Sequence, residues 1–149
     1  MLINIFYGLA TMAVCLLLEA LMLVVALQYY NRHETRGHKL LFLSTLRGIC
    51  GVMTLLVVGN IVQIGIWALL FHLLGELSDF NTAFYHSAVN FATLGYGDIV
   101  MSSKHKLLGP LEAINGVLMI GVSTAVLMAV FQDAIKKKTL ARQDKNGDR

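Results

Sequence analysis

Three long stretches of the sequence are almost free of charge. Residues 2–30 and 107–131 each hold one charged side chain, Glu19 and Glu112, and residues 49–74 hold none. Each stretch exceeds the ~20 apolar residues that cross a bilayer as a helix. Of the whole chain, 14% of the residues are charged, against about 25% in soluble domains. A soluble chain of 149 residues would not bury three such helices, so we expect an integral membrane protein.

The first apolar segment does not have the features of a cleaved signal peptide. It lacks a basic region before the apolar run, the run is too long, and no pair of small residues marks a cleavage site. We expect it to remain as a transmembrane helix. Cys15 and Cys50 lie in different apolar segments without paired spacing, so we interpret them as buried small hydrophobic residues.

The basic residues are distributed unevenly around the three segments. Of the twelve, only Lys104 and Lys106 lie between residues 75 and 106, and the other ten lie in residues 28–48 or after residue 135. Cytoplasmic segments next to membrane spans are rich in lysine and arginine. We therefore expect the N-terminus outside and the C-terminus in the cytoplasm. The net charge of +3 then reflects membrane orientation, and we expect no nucleic-acid partner.

A short helix is predicted over residues 82–92, capped by Asp79 or Asn81. It is too short to cross the bilayer. The run Ala-Thr-Leu-Gly-Tyr-Gly-Asp follows at residues 92–98, and its two glycines indicate a backbone shape that other residues adopt only with strain. Non-helical backbone at membrane depth is tolerated only where it lines a water-filled cavity or is buried in protein. We therefore predict a re-entrant loop.

Such a loop can bind cations through its backbone. If residues 93–97 alternate between left- and right-handed dihedral angles, their carbonyl groups all point to one side. Four copies around an axis would then stack rings of oxygen atoms that replace the water shell of a dehydrated cation. The Thr93 hydroxyl would add a further ring, and the side chains of Leu94 and Tyr96 would point outward into protein.

The run Thr-Leu-Gly-Tyr-Gly-Asp, placed between a short helix and an inner span, resembles the selectivity filter of the potassium-channel pore-domain family. The resemblance covers about residues 49–131. It implies an outer helix, a re-entrant pore helix, a filter and an inner helix, assembled as a homotetramer. With the first apolar segment, we expect an all-α membrane protein with three transmembrane helices per chain. The first segment is an addition to the two-span pore unit. It has no arginine at every third position, so it does not resemble a voltage sensor.

This resemblance gives the expected organisation of the chain. It comprises an N-terminal transmembrane helix (1–30), a cytoplasmic loop with a possible interfacial helix (31–48), a pore domain (49–131) and a cytoplasmic tail (132–149). Within the pore domain we expect an outer helix at 49–74, a pore helix at 82–92, the filter at 93–97 and an inner helix at 107–131. For residues 31–48 two interpretations fit equally: a helix at the membrane interface, or an early start to the second helix.

The resemblance also assigns roles to residues. The ion-coordinating filter would consist of Thr93, Leu94, Gly95, Tyr96 and Gly97, with K⁺ held at Thr93, Leu94, Gly95 and Tyr96. Residues placed to support the filter are Asp98, Tyr85, His86 and Glu112. Leu94 stands where the family usually has valine or isoleucine. Tyr85 and His86 stand in the region where the family usually has bracing tryptophans.

Three further positions in the spans, Glu19, Gly116 and Gly121, have a gating or structural interpretation, and Glu112 could act in two settings. A carboxylate inside a span usually faces protein or water, so Glu19 is either a gating or pH-sensing group or a structural partner of Arg47 or of a serine or threonine on a neighbouring helix. Glu112 either braces the filter through Asn90 or Asn115 or lies at the interface in water. Gly116 and Gly121 allow the inner helix to pack closely or to bend.

We therefore expect a potassium-selective channel with no cofactor, in which K⁺ is the permeant ligand. Its partners would be three identical subunits and the lipid bilayer. Two alternatives are a weakly selective monovalent cation channel of the same architecture and a membrane transporter subunit. The sequence has no catalytic triad, metal cluster or phosphate-binding loop, so we expect no enzyme. A short channel without regulatory domains suggests a prokaryotic plasma membrane.

Overall fold

The computed structural model describes residues 2–34 and 41–147, which include four α-helices joined in part by loops. These are α1 (Leu2–Glu34), α2 (Leu41–Leu73), α3 (Phe80–Phe91) and α4 (Leu108–Gly147). Three of them are long and apolar enough to cross a membrane, over Leu2–Arg32, Thr45–Leu73 and Leu108–Lys137. The 12-residue α3 reaches only about 18 Å at ~1.5 Å per residue. The described residues contain no strand, so the prediction of an all-α protein with three such helices is confirmed.

The helices extend beyond the boundaries expected from the sequence. α2 begins at Leu41 rather than residue 49, in agreement with an early start to the second helix, while residues 35–40 lie outside the described part of the chain. α4 continues to Gly147 instead of ending at residue 131. The segment after residue 131 has no proline, and no glycine before Gly147, so nothing interrupts the helix. An ion pair between Lys137 and Asp133, one turn apart at 2.6 Å, supports it.

Two apolar clusters hold the bundle at its two ends. At the end that we call the tail end, residues from α1, α2 and α4 pack together: Ala26, Tyr30, Ile49, Val52, Leu56 and Val130. At the opposite end, which we call the loop end, the cluster is Cys15, Trp67, Phe71 and Leu108. The Asn4 amide donates to the Lys104 carbonyl (2.6 Å), so the start of α1 lies beside the loop that precedes α4.

Glu19 joins the three long helices between these two clusters. Its Oε2 accepts a hydrogen bond from Gln63 Nε2 of α2, and its Oε1 accepts one from Ser123 Oγ of α4, both at 2.8 Å. The side chain is 3% exposed, so it is shielded from lipid. Ser123 is one of the hydroxyl partners that the sequence suggests. The alternative partner Arg47 is not used, because Arg47 lies sixteen residues before Gln63, about 24 Å along the helix.

We predict that Glu19→Ala lowers the free energy of unfolding by about 1–3 kcal/mol, because it leaves the buried Gln63 and Ser123 donors without their acceptor. Thermal unfolding in detergent micelles measures this change. The control is Glu19→Gln, whose amide can still accept from Ser123 and can donate to Gln63 Oε1, a buried atom without a partner among the described residues. An unfolding midpoint of Glu19→Ala equal to that of wild type would contradict the structural role.

Candidate functional site

The helix α3 is defined at its start by Asp79. The Asp79 carboxylate accepts hydrogen bonds from the backbone N–H and the hydroxyl of Thr82, both at 3.0 Å, as is usual for an N-cap. These bonds lower the pKa of Asp79, and the bond from the Thr82 N–H satisfies a backbone donor that α3 cannot satisfy itself. Of the two caps suggested by the sequence, Asp79 is the one used, and the helix starts at Phe80.

The helix α3 ends in a Schellman motif. The Thr93 N–H donates to the Asn90 carbonyl (2.8 Å) and the Leu94 N–H donates to the Val89 carbonyl (2.9 Å). This motif needs a residue in the left-handed region directly after the cap, and glycine is usual there. Here the residue is Thr93, with φ of 60°. A β-branched residue in this region is strained, by about 1–3 kcal/mol.

The left-handed backbone recurs at every second residue after the helix. Gly95 has φ of 56° and Gly97 has φ of 73°, whereas neither Leu94 nor Tyr96 has a positive φ. The segment from Ala92 to Asp98 is exposed in the single chain. Even the large side chains of Leu94 and Tyr96 are 53% and 64% exposed. The run therefore has the alternating dihedral angles on which a carbonyl-lined filter depends.

Close packing against α4 fixes the C-terminal end of α3. A Cβ added to Gly116 would lie 2.0 Å from the Phe91 carbonyl oxygen, so only glycine allows this approach. Gly109 is also close, with its Cβ position 3.4 Å from Asn90 Nδ2. Gly121 is different, because a Cβ there would meet no atom within 4 Å. Gly116 is thus a contact residue of α3, while a bend at Gly121 stays a prediction.

A hydrogen bond ties the end of the glycine-bearing run back to α3. The Tyr85 hydroxyl donates to Asp98 Oδ2 (2.8 Å), and Asp98 Oδ1 accepts from the Ile99 N–H (3.0 Å). The bond from Tyr85 to the carboxylate raises the pKa of Tyr85. Tyr85 and Asp98, which the sequence places near the filter, are therefore in direct contact.

His86 is buried on the other side of α3. Its ring packs edge-on against Phe71, with centroids 5.6 Å apart, and its Nε2 lies 3.0 Å from Asn90 Nδ2. An amide nitrogen only donates, so Nε2 accepts and the ring is neutral. Burial lowers the pKa of His86, in agreement with this assignment. His86 thus supports α3 by packing.

Glu112 is buried between α2, α3 and α4. Its side chain is 0% exposed, and its Oε1 lies in hydrogen-bond contact with Ser87 Oγ of α3. Ser87 Oγ in turn lies 2.8 Å from the Ile64 carbonyl of α2. The structure therefore places Glu112 behind α3 rather than at the interface in water. Its direct contact is with Ser87, and Asn90, one of the two partners suggested by the sequence, also lies beside the carboxyl group.

A cluster at the loop end was not identified from the sequence. Glu76, just after α2, accepts hydrogen bonds from the Ser102 N–H (2.7 Å) and hydroxyl (2.6 Å) and lies 2.6 Å from His105 Nδ1. Burial raises the pKa of Glu76, but the bonds from Ser102 and the nearby His105 outweigh it, so the net pKa is lowered. This cluster holds the loop after residue 98 against the end of α2.

A cavity of about 390 Å³ adjoins the glycine-bearing run. It is lined by three groups of residues: His86, Val89 and Asn90 of α3; Thr93, Gly95 and Gly97 of the run; and Ile99, Val100, Met101, Lys106, Gly109, Pro110 and Ala113 from the loop and α4. Within the described residues, no three His, Cys, Asp or Glu side chains are grouped so that they could hold a metal ion. The polar side chains among these lining residues are His86, Asn90, Thr93 and Lys106.

The structure separates the sequence-predicted residues into two places. One group lies in or against α3 and the run of residues 93–97, and it consists of Tyr85, His86, Asp98, Glu112 and Gly116. Glu19 lies apart from this group, between the three long helices. Gln63 as a partner of Glu19 and Ser87 as a partner of Glu112 were missed because each pair is distant in sequence. One signal was present: Asn60 and Gln63 lie one turn apart in an otherwise apolar span, which indicates a polar contact inside the bundle.

The comparison with known protein families agrees with this geometry. The sequence model of the family described as "Ion channel" matches residues 55–133, which include most of α2, all of α3, the glycine-bearing run and the first part of α4. The chain therefore belongs to this ion channel family. The match is consistent with the resemblance to the potassium-channel pore domain. Neither a curated protein nor a solved structure matches the chain significantly.

We predict that Gly116→Ala destabilises the protein by about 1–3 kcal/mol, because the added methyl group collides with the backbone of Phe91 and overpacks the contact. Thermal unfolding in detergent measures the change. Gly121→Ala is the matched control on the same helix. It meets no neighbouring atom and should be neutral or more stable by up to ~1 kcal/mol through helix propensity. Equal destabilisation by both variants would show that the contact with Phe91 is unimportant.

Proposed function

We propose that the chain is one subunit of a homotetrameric, potassium-selective channel in which Thr93, Leu94, Gly95, Tyr96 and Gly97 form the filter. The observation that carries this proposal is the alternation of positive φ at Thr93, Gly95 and Gly97. Because left-handed and right-handed backbone dihedral angles then alternate along the run, the carbonyl groups of successive residues can all face one axis. K⁺ would be held between the oxygen rings of Thr93, Leu94, Gly95 and Tyr96, and no other cofactor is needed.

The proposed tetramer follows from what one chain cannot do. A single strand of carbonyls does not encircle an ion, and closed cyclic symmetry is the usual arrangement of identical subunits. The exposed side chains of Leu94 and Tyr96, at 53% and 64%, support an assembly in which other copies cover them. They would point away from the ions into the surrounding protein, so leucine at position 94 leaves the carbonyl rings unchanged.

The proposed orientation in the membrane rests on charge. The loop end carries Lys104 and Lys106, while the tail end carries Arg32, Lys136 and Lys137 on described helices. Lys137 lies 5.5 Å from the centre of the Tyr30 ring, so the basic ends of α1 and α4 are adjacent. From the excess of basic residues we infer that this end lies in the cytoplasm, and the filter would then lie near the outer surface. A prokaryotic plasma membrane is the proposed location.

The deciding test is the reversal potential of the purified protein in planar bilayers under opposed K⁺ and Na⁺ gradients. We predict a potential close to the K⁺ equilibrium value, and its loss in Gly97→Ala. The added Cβ at positive φ costs about 1–2 kcal/mol in each subunit and turns the carbonyl groups. Gly75→Ala is a control with a similar φ of 72° at the end of α2. A wild-type potential near zero would indicate a weakly selective cation channel, and a count of one subunit per pore would indicate a transporter.

Position 93 should separate stability from function. We predict that Thr93→Gly raises the free energy of unfolding by about 1–2 kcal/mol, because glycine takes the left-handed position of the Schellman motif without strain. The same change removes the hydroxyl ring, so it should weaken the innermost ion site. Thermal unfolding and single-channel conductance measure the two effects. Thr93→Ala is the control, since it removes the hydroxyl and keeps the strain. Normal conductance in both variants would exclude the hydroxyl as an ion ligand.

A further inference from the structure

A buried chain of polar groups connects α4, α3 and α2 behind the proposed filter. Glu112 contacts Ser87, and Ser87 Oγ lies 2.8 Å from the Ile64 carbonyl oxygen. The Glu112 and Ser87 side chains are both 0% exposed. Ser87 is six residues before Thr93 on the pore helix. The contact therefore lies where it can set the position of that helix.

The number of hydrogen atoms shared by Glu112, Ser87 and the Ile64 carbonyl determines which group donates each hydrogen bond. A serine hydroxyl has one hydrogen, and a backbone carbonyl only accepts. If Glu112 were ionised, both neighbours of the Ser87 hydroxyl would be acceptors, and Ser87 has only one hydrogen to donate. One of the two close contacts, with Glu112 or with the Ile64 carbonyl, would then bring two oxygen atoms together without a hydrogen between them. If Glu112 is protonated, its hydroxyl donates to Ser87 Oγ, and Ser87 donates to the Ile64 carbonyl. Only the protonated form supplies a hydrogen to both contacts.

The surroundings of Glu112 also disfavour a charge. Within the described part of the chain, no lysine, arginine or histidine forms an ion pair with its carboxyl group. The titratable group that faces it from α1 is the Cys15 thiol, which is also buried. The neutral Asn90 amide of α3 also lies near the carboxyl group, but Glu112 Oε2 has no hydrogen-bond partner among the described residues. A buried carboxylate without a counter-charge or a full set of donors is far less stable than the neutral acid.

We propose that Glu112 is held as a neutral carboxylic acid whose proton positions the pore helix. Its O–H donates to Ser87, and the Ser87 hydroxyl donates to the carbonyl of Ile64. A single proton on Glu112 thus allows hydrogen bonds that connect three helices. Glu112 is thus a positioning residue for the filter. That positioning role rests on the proposed channel function, whereas the protonation itself does not.

Infrared spectroscopy of the purified protein at neutral pH tests the protonation. We expect wild type to show the carbonyl stretch of a protonated carboxylic acid, which shifts in D₂O and is lost in Glu112→Gln. In Ser87→Ala the band should shift, because the acid loses its acceptor. Glu19→Gln is the control, because Glu19 is likewise a buried glutamate, and the band should persist there. Loss of the band in Glu19→Gln, or its absence from wild type, would overturn the proposal even if Glu112→Gln fails to fold.

The positioning role is tested separately, with two variants of similar size. Glu112→Gln keeps a hydrogen donor for Ser87, and Glu112→Met does not. We expect the reversal potential of Glu112→Gln to match wild type, and that of Glu112→Met to move toward zero. Equal reversal potentials for the two variants would overturn the positioning role. A wild-type protein that does not conduct would count against the channel function, while the infrared result would still decide the protonation.

Discussion

The placement of a helix too short to cross the membrane is the constraint on which the rest of this structure depends. In hydrocarbon, every backbone N–H and carbonyl needs an internal partner. The 12-residue α3 has backbone N–H groups at its start and carbonyl groups at its end that the helix itself cannot pair. Asp79 satisfies donors at its start, and the Schellman bonds to Asn90 and Val89 satisfy acceptors at its end. These bonds let the chain leave the helix as an extended segment instead of continuing across the bilayer.

The end of α3 shows a conflict between folding and the proposed function. Glycine would fit the left-handed position after the cap without strain, but the chain has Thr93 there at φ of 60°. Strained residues persist only where the surrounding structure over-determines them. Here the two Schellman bonds on one side and the close contact of Phe91 with Gly116 on the other fix the backbone. The strain is explained if the hydroxyl of Thr93 is needed, since glycine has none to offer.

The sequence predicted the elements of this fold better than their contacts. The length and the lack of charge of three segments were sufficient to predict three spanning helices, since these features do not depend on contacts with other segments. The short helix was predicted from the capping residue and the glycines. The start of α2 at Leu41 could not be predicted from the sequence, because a basic amphipathic segment is compatible with a separate interfacial helix and with the first turns of α2. The bonds of Glu76 to Ser102 and of Glu19 to Ser123 join residues 26 and 104 positions apart. No local pattern encodes such pairs, which depend on how whole helices pack.

The contacts of α1 imply that the added helix restrains the two halves of α4 differently. At the loop end, Asn4 holds the segment before α4, and at mid-height Glu19 holds Ser123. Beyond Ser123, an apolar contact at Val130 and the Lys137–Tyr30 contact join α4 to its neighbours. Apolar contacts are non-directional, whereas a buried hydrogen bond is lost when its partners separate. Up to Ser123, therefore, directional hydrogen bonds from α1 fix α4 and the segment before it, and beyond Ser123 apolar packing and the contact of Lys137 with the Tyr30 ring add to the packing of α4.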